Sequence, residues 1–390
     1  MVCHTSTRVS RFGVFVSSSV NSDLVQAILA SIGPDACAFT TVEEADYRRL
    51  SRGNRRQRIR LRLLTWIVHP CRLALSIVFA RRGSLYIVTT NPFTAPVVAA
   101  ALGPWFGVRV VHHVFDLYPD ALEAAGILRP GGFLSRCISA CLGWAHRRCA
   151  GAVYLGQALR QQTERRLGQT PHSAVIEVTA DEALFGEPSP GCEGCLVVHY
   201  GGQLGTMHDA ESIVAAVEAL EDERYAGRVR FDFRVGGARA QVIDRLRGKP
   251  GVVVDSIMPP SAWRKHVRGA GVGLVSLLPA GARVCLPSKT YALLAASLPV
   301  IAICPRTSDL AAVVTSQGAG WVIENAVSPA SVSTRDRAVV GAEIAALIRR
   351  LIALPAERDQ RAEAAGQAAR TVFSRAATAA RWRTFLSEFA

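Results

Sequence analysis

At 390 residues the chain is too long for one ordinary core and fits two domains of roughly 200 residues each. A hydrophobic content of 49% excludes a largely disordered chain. The formal net charge of +14 calls for an anionic partner: nucleic acid, an anionic membrane surface or a phosphorylated substrate.

The amino-terminal stretch is short and polar, without a signal-peptide pattern, and leads into an apolar run at 12–16 that reads as a first strand. Further along, short apolar runs alternate with helical patterns, the signature of parallel βαβ architecture. Strands are expected at 13–16, 36–39, 85–88, 109–112, 151–154 and 174–177, with helices such as 23–32, 133–148 and 158–167 between them. The apolar stretch 63–80 is interrupted by His69, Pro70 and Arg72, so it is not expected to span a membrane. A linker is expected at 186–194, which reads GEPSPGCEG. The pattern then restarts with strands at 196–200, 230–235, 252–254, 272–276, 300–303 and 320–323. Helices are expected at 211–220, 239–247, 261–268, 289–296 and 310–316, and the tail 343–389 is helical in pattern with one break at Pro355.

This order predicts an α/β protein of two Rossmann-like, doubly wound domains facing across a cleft, with ligand at the carboxyl ends of the strands. The expected domains are 1–188 and 192–371, with the final helix near 372–390 packing back on the first. The ten cysteines are scattered and suggest no disulfide framework. Cys192 and Cys195 form a lone CxxC without two further ligands, so no structural zinc is expected. Cys137, Cys141 and Cys149 read as buried free thiols in a helix.

Two clusters carry chemistry. The segment His199-Tyr200-Gly201-Gly202-Gln203-Leu204-Gly205-Thr206-Met207-His208 lies between a strand and a helix. Glycines there let the backbone approach a phosphate, and the helix start supplies free N–H groups. An ordinary tight turn would use the same glycines. In the second cluster, Leu286-Pro287-Ser288-Lys289-Thr290-Tyr291, Ser288 suits an N-cap and Lys289 falls in the first helical turn. A cation against its own helix start makes sense when an anion lies between them. A surface lysine without a role would look the same.

These stretches, together with FRVGG at 233–237 and LPSKTYALLAASLPVIA at 286–302, resemble glycosyltransferase family 4, a group of retaining transferases of GT-B fold. The nearest subgroup builds bacterial surface polysaccharides and glycolipids and reads PSK-x-Y-x-x-LAAG-x-P here. Phe115 to Asp120, FDLYPD, is similar to that subgroup's D-[LI]-[WY]-P-[DE] motif. The resemblance spans nearly the whole chain in the family's order.

The resemblance implies a nucleotide-diphosphate sugar, a UDP-hexose or UDP-N-acetylhexosamine, bound mainly by the second domain. The acceptor, lipid-linked or saccharide, would lie on the first. It also implies retention of configuration, with no cofactor and no divalent metal. Carried over by position, the donor-binding residues are Gly201, Gly202, Gln203, Gly205, His208, Gly236, Pro287, Ser288, Lys289 and Tyr291. Gly202 and Gln203 would face the sugar diphosphate, and Lys289 would supply fixed positive charge to the leaving group. Several positions depart from the pattern. Val284 and Ala292 stand where the family carries two glutamates, Ser297 where it carries glycine, and Gln203 where it often carries arginine.

In the first domain His112 and His113 end a strand, and the resemblance puts a histidine here near the donor's hydroxyls. A satisfied structural histidine fits the same position. The catalytic candidates are His113, Asp116 and Asp120; either carboxylate can orient or deprotonate an acceptor hydroxyl, or simply cap the next helix. The last feature is an acid-free run with Arg48, Arg49, Arg52, Arg55, Arg56, Arg58, Arg60 and Arg62, leading to an apolar segment with Trp66. Arg55, Arg56, Arg58, Arg60, Arg62 and Trp66 read as contacts to an anionic membrane. No RNA-binding module accompanies them, so no nucleic-acid partner is expected. The resulting expectation is a cytoplasmic glycosyltransferase, peripheral on the inner membrane face. A GT-B sugar-nucleotide 2-epimerase and a non-catalytic membrane- or nucleic-acid-binding relative are the alternatives.

Overall fold

The computed structural model describes residues 11–18, 22–52, 54–186, 194–328 and 331–389. Most of the expected linker, with Cys192, lies outside them. Short runs rich in Val, Ile and Ala form strands that are buried on both faces at the centre of each sheet, as parallel sheets with helical cover require. The first unit holds β1 (Phe12–Ser18), β2 (Ala36–Val42), β3 (Leu85–Thr89), β4 (Arg109–Val114), β5 (Gly151–Tyr154) and β6 (His172–Val175). They form one parallel sheet in the order β2-β1-β3-β4-β5-β6. The second holds β7 (Leu196–Gln203), β8 (Val229–Gly236), β9 (Val252–Ser256), β10 (Val272–Ser276), β11 (Val300–Ile303) and β12 (Gly320–Ile323), ordered β12-β11-β10-β7-β8-β9. Both are doubly wound α/β sheets.

The helices of the first unit are α1 (Ser22–Ile32), α2 (Glu44–Arg52), α3 (Arg55–Val78), α4 (Thr94–Phe106), α5 (Asp120–Ala124), α6 (Phe133–Arg148) and α7 (Gln157–Leu167). In the second unit they are α8 (Ala210–Ala219), α9 (Glu221–Tyr225), α10 (Ala240–Asp244), α11 (Pro260–Val267), α12 (Lys289–Ala295), α13 (Asp309–Ser316), α14 (Arg337–Ala353) and α15 (Pro355–Thr371). The last helix, α16 (Arg375–Ser387), returns to the first.

Contacts divide the chain at Thr179 and Ala180, earlier than the expected linker. The reason is local. Residues 180–186 are tied to the second unit by Ala180 N–H to the Phe373 carbonyl (2.7 Å), Arg264 to Asp181 (2.8 Å) and Ser297 Oγ to the Gly186 carbonyl (3.3 Å). The tail also breaks a second time, between α15 and α16, where Phe373 turns inward and packs edge-on against Tyr291.

In the first unit α16 packs on α1, and its Trp382 is fully buried beside His113 and Phe385. Trp382→Ala should destabilise this unit by about 3–5 kcal/mol, read as a lower denaturation midpoint. A loss below about 1 kcal/mol would remove the helix from the core. Pro70 does not end α3. The helix widens to a π turn at Leu64–Val68, where His69 N–H reaches the Leu64 carbonyl just ahead of the proline that has no N–H. By length and composition α3 is long enough to cross a bilayer, but His69, Leu73 and Ile77 are buried in the unit. Of the three thiols read as buried, only Cys149 is; Cys137 and Cys141 point outward from α6.

Candidate active site

The second unit assembles its polar groups at the carboxyl ends of β7, β8 and β10. Gly201 is tightly packed, since a Cβ there would lie 2.6 Å from Trp263 Nε1 and 2.7 Å from His199 Nε2. Gly202 has φ +104° and open space before it, and Gly205 also faces open space. The backbone between them is therefore accessible to a ligand. Its rear is stapled to the neighbouring loop: Leu204 N–H donates to the Gly236 carbonyl (2.7 Å) and Arg239 N–H to the Leu204 carbonyl (2.9 Å).

Lys289 reaches back from α12 to this loop. Its Nζ donates to Tyr200 Oη (2.7 Å) and to the Gln203 carbonyl (3.0 Å), and sits 4.1 Å from the Tyr200 ring centroid. No carboxylate is among these partners. Lost hydration pulls its pKa down to about 7. His208 is held neutral, with a pKa near 3, first by burial and then by the charges of Lys289 and Arg239. Lys289 and Arg239 are thus the cations around the neutral His208, Arg239 also pairing with Glu211 (3.5 Å), and Arg239 was not visible as a member from sequence.

Three expectations at this site need correction. The start of α8 is not free: Asp209 caps it, accepting from Ser212 N–H (3.1 Å), and is itself held by Asn325 (2.9 Å). A carboxylate therefore already occupies the helix end proposed for a phosphate. Ser288 stands at the N-cap of α12 with helical backbone, φ −61° and ψ −23°, and its hydroxyl makes no cap bond. Capping needs an extended residue there. Tyr291 is buried against Phe373, which takes its ring away from any open surface. Gly236 has a packing role, since a Cβ would meet Ile257 at 3.0 Å. Pro287 is buried and forms the turn into α12 through Thr290 N–H to its carbonyl (3.1 Å). Ser297 is the one described non-glycine residue at positive φ (+54°), the conformation glycine adopts without strain.

Beneath the loop lies a buried network missed from sequence. Trp263 Nε1 donates to His199 Nε2 (3.0 Å), so His199 Nδ1 carries the proton it gives to Asp232 Oδ2 (2.7 Å). His266 (2.7 Å) and Arg234 (2.9 Å) complete the Asp232 shell. These bonds drive the Asp232 carboxyl well below its ordinary value despite burial. His199, Asp232 and His266 stand close enough for a metal, but the donor set does not fit one. A metal on His199 Nδ1 would leave Nε2–H facing the Trp263 N–H, and Arg234 already neutralises Asp232.

In the first unit the candidates separate. His113 is buried between Phe115 and Trp382, with neither ring nitrogen hydrogen-bonded among the described residues, and burial lowers its pKa to about 3. It is a neutral imidazole. His112 is occupied by His146 (2.8 Å), which also contacts Tyr154 Oη (3.2 Å). Asp120 accepts from Gln162 (3.2 Å) and pairs with Arg166 (3.2 Å), which also contacts Glu123. That carboxylate is committed to structure. Asp116 is partly exposed, and poor hydration raises its pKa to about 6.

No protein-family model matches the chain. Over 265 residues it is 24% identical to the probable glycosyltransferase WbjE of Pseudomonas aeruginosa, a match covering 62% of each chain. It thus matches less than two thirds of that relative's length. The solved structure of Anabaena HepE in complex with UDP-glucose aligns with a TM-score of 0.67 at 14% identity, covering 97% of this chain and 99% of that one. WaaG, a glycosyltransferase involved in lipopolysaccharide biosynthesis, aligns with a TM-score of 0.59 at 13% identity, covering 92% and 95%. The fold is GT-B. The chain's homologue and its structural neighbours are glycosyltransferases.

Proposed function

We propose that the chain is a retaining glycosyltransferase of the family 4 type. It would move a hexosyl or N-acetylhexosaminyl group from a UDP-sugar to a lipid-linked or saccharide acceptor at the cytoplasmic membrane face. The observation that carries the reading is Lys289, desolvated beside Arg239 and His208 at an open glycine loop, with no protein carboxylate on its ammonium. A diphosphate there would accept its hydrogen bonds and restore its charge. Charge builds on the leaving diphosphate as the glycosidic bond breaks, and a fixed cation stabilises it without reorganisation. That task needs no divalent metal.

Gly202, Gln203 and Gly205 keep their assignment to the sugar diphosphate. Asp116 is assigned to the acceptor hydroxyl, and His113, buried between Phe115 and Trp382, is read as a core residue. In a retaining front-face mechanism the leaving phosphate helps to take the proton. WbjE and WaaG, by their names, support transfer, and the UDP-glucose complex of HepE supports the nucleotide. The epimerase alternative loses ground because the tight carboxylate–histidine set among the described residues, His199–Asp232–His266, is largely buried and committed to Trp263 and Arg234 rather than open to a sugar. The arginines of α3 support the membrane assignment.

Incubating the protein with UDP-glucose, or UDP-N-acetylglucosamine, and a bacterial lipid extract in EDTA should release UDP and yield an α-linked product by NMR. UDP release that depends strictly on added Mg²⁺ would overturn the metal-free reading. An inverted product would overturn retention.

A further inference from the structure

We infer that one face of the first unit, built from α3, α4 and α6, is a docking surface for an anionic bilayer and presents Asp116 to it. The crossovers β2→β3, β3→β4 and β4→β5 all run in the same direction along the sheet. Right-handed connections therefore put these three helices on one side of it. They pack in the order α3, α4, α6, with Leu73, Ile77, Ala95 and Ala99 turned into the shared core. Their outer sides form one surface.

That surface is apolar where a soluble exterior would be polar. Along α3, Ile59, Leu63, Ile67, Cys71 and Leu75, and just past its end Phe79, follow at four-residue spacing and all are exposed. Phe79 is 74% exposed, Trp105 at the end of α4 79%, and Phe133 at the start of α6 79%. Trp144, on the outer side of α6, is covered by Arg148 at 5.2 Å. Large apolar side chains exposed along one helical face mark a protein or membrane partner.

Charge selects between them. From Tyr47 to Phe115 the sequence holds twelve arginines and no acidic residue, and 133–148 also lacks acids. Arg55 to Arg62 lie on a helical segment with no buried residue. Arginines flanking exposed aromatics fit lipid phosphates above an acyl layer.

The helices run antiparallel to the strands, so the arginine-bearing start of α3 shares an end of the unit with Asp116. A direct contact path joins them: Trp66 packs on Phe93 (5.1 Å) and Phe93 on Tyr118 (5.5 Å). A lipid-linked acceptor lying in the bilayer would thus meet the Asp116 segment at headgroup depth. This last step rests on the transferase reading; the docking surface does not.

Flotation of the full chain with vesicles of phosphatidylglycerol and phosphatidylcholine tests the surface. Wild type should float with them and bind phosphatidylcholine alone far more weakly. F79S/W105S/F133S should lose about tenfold or more of the partitioning. R55Q/R56Q/R58Q should lose on the order of fivefold per arginine at moderate salt. All three apolar positions are exposed, so folding should survive; circular dichroism and UDP titration of the same samples check it. Wild-type flotation by the serine variant would overturn the surface. So would a wild-type dimer that this variant dissolves, or RNA binding by the same arginines without vesicle binding. Vesicle binding without UDP binding would remove only the transferase reading.

Discussion

Lys289→Ala is expected to weaken UDP-sugar binding on the order of 100-fold while leaving the fold intact. The two effects separate because Lys289 is paired with a hydroxyl and a carbonyl, not with a carboxylate. Its pKa falls from the ordinary lysine value to about 7 in the folded chain. Between about pH 7 and 10.5 the unfolded chain therefore binds one proton more, and stability rises with pH through that window. Below it, keeping Lys289 charged works against folding. Removing it should thus leave the melting temperature near pH 6.5 unchanged or raised. Calorimetric titration with UDP and a melting curve on the same sample check both. A variant with wild-type affinity would take Lys289 out of the site, and one that melts far lower would make it a structural residue.

The pH dependence of kcat/KM is expected to be a narrow bell with its maximum between about 6 and about 7. On the acid side Asp116, raised to about 6, becomes protonated and can no longer accept from a hydroxyl. On the alkaline side Lys289 loses the charge that the diphosphate needs, so the rate should fall about tenfold per pH unit. Bound donor restores that charge, and binding above pH 7 should therefore take up a proton. Arginine stays charged throughout, so Lys289→Arg should remove the alkaline limb even if the rate is lower. Asp116→Asn should be slow and lose the acid limb. A flat profile from roughly pH 6 to 9 would contradict both assignments.

The architecture was legible because parallel strands covered on both sides need continuous apolar runs, and those runs end at glycines and caps. Strands such as β5, β10, β11 and β12 match their expected bounds. Lys289 was legible because its position opposes the dipole of its own helix. Arg239 was not, since a lone arginine after a strand looks like any surface charge until the Leu204 staple brings it round to Lys289. Asp209 illustrates the reverse error: the glycines suggested an open helix start, and only the three-dimensional contact to Asn325 shows the carboxylate seated there. Asp116 and Asp120 are identical in type and four residues apart, and Arg166, 46 positions beyond Asp120, separates their roles. The His199–Asp232 pair left a trace in sequence, as an ionisable residue flanked by apolar neighbours at paired positions of two adjacent strands.

The most direct test of the central claim is calorimetric titration of UDP, GDP, ADP and dTDP into the purified full chain, in EDTA near pH 6.5. A single nucleotide class, UDP, should bind, with an affinity that Lys289→Ala abolishes. A folded wild-type chain that binds none of the four would contradict the nucleotide-sugar site and the transferase with it.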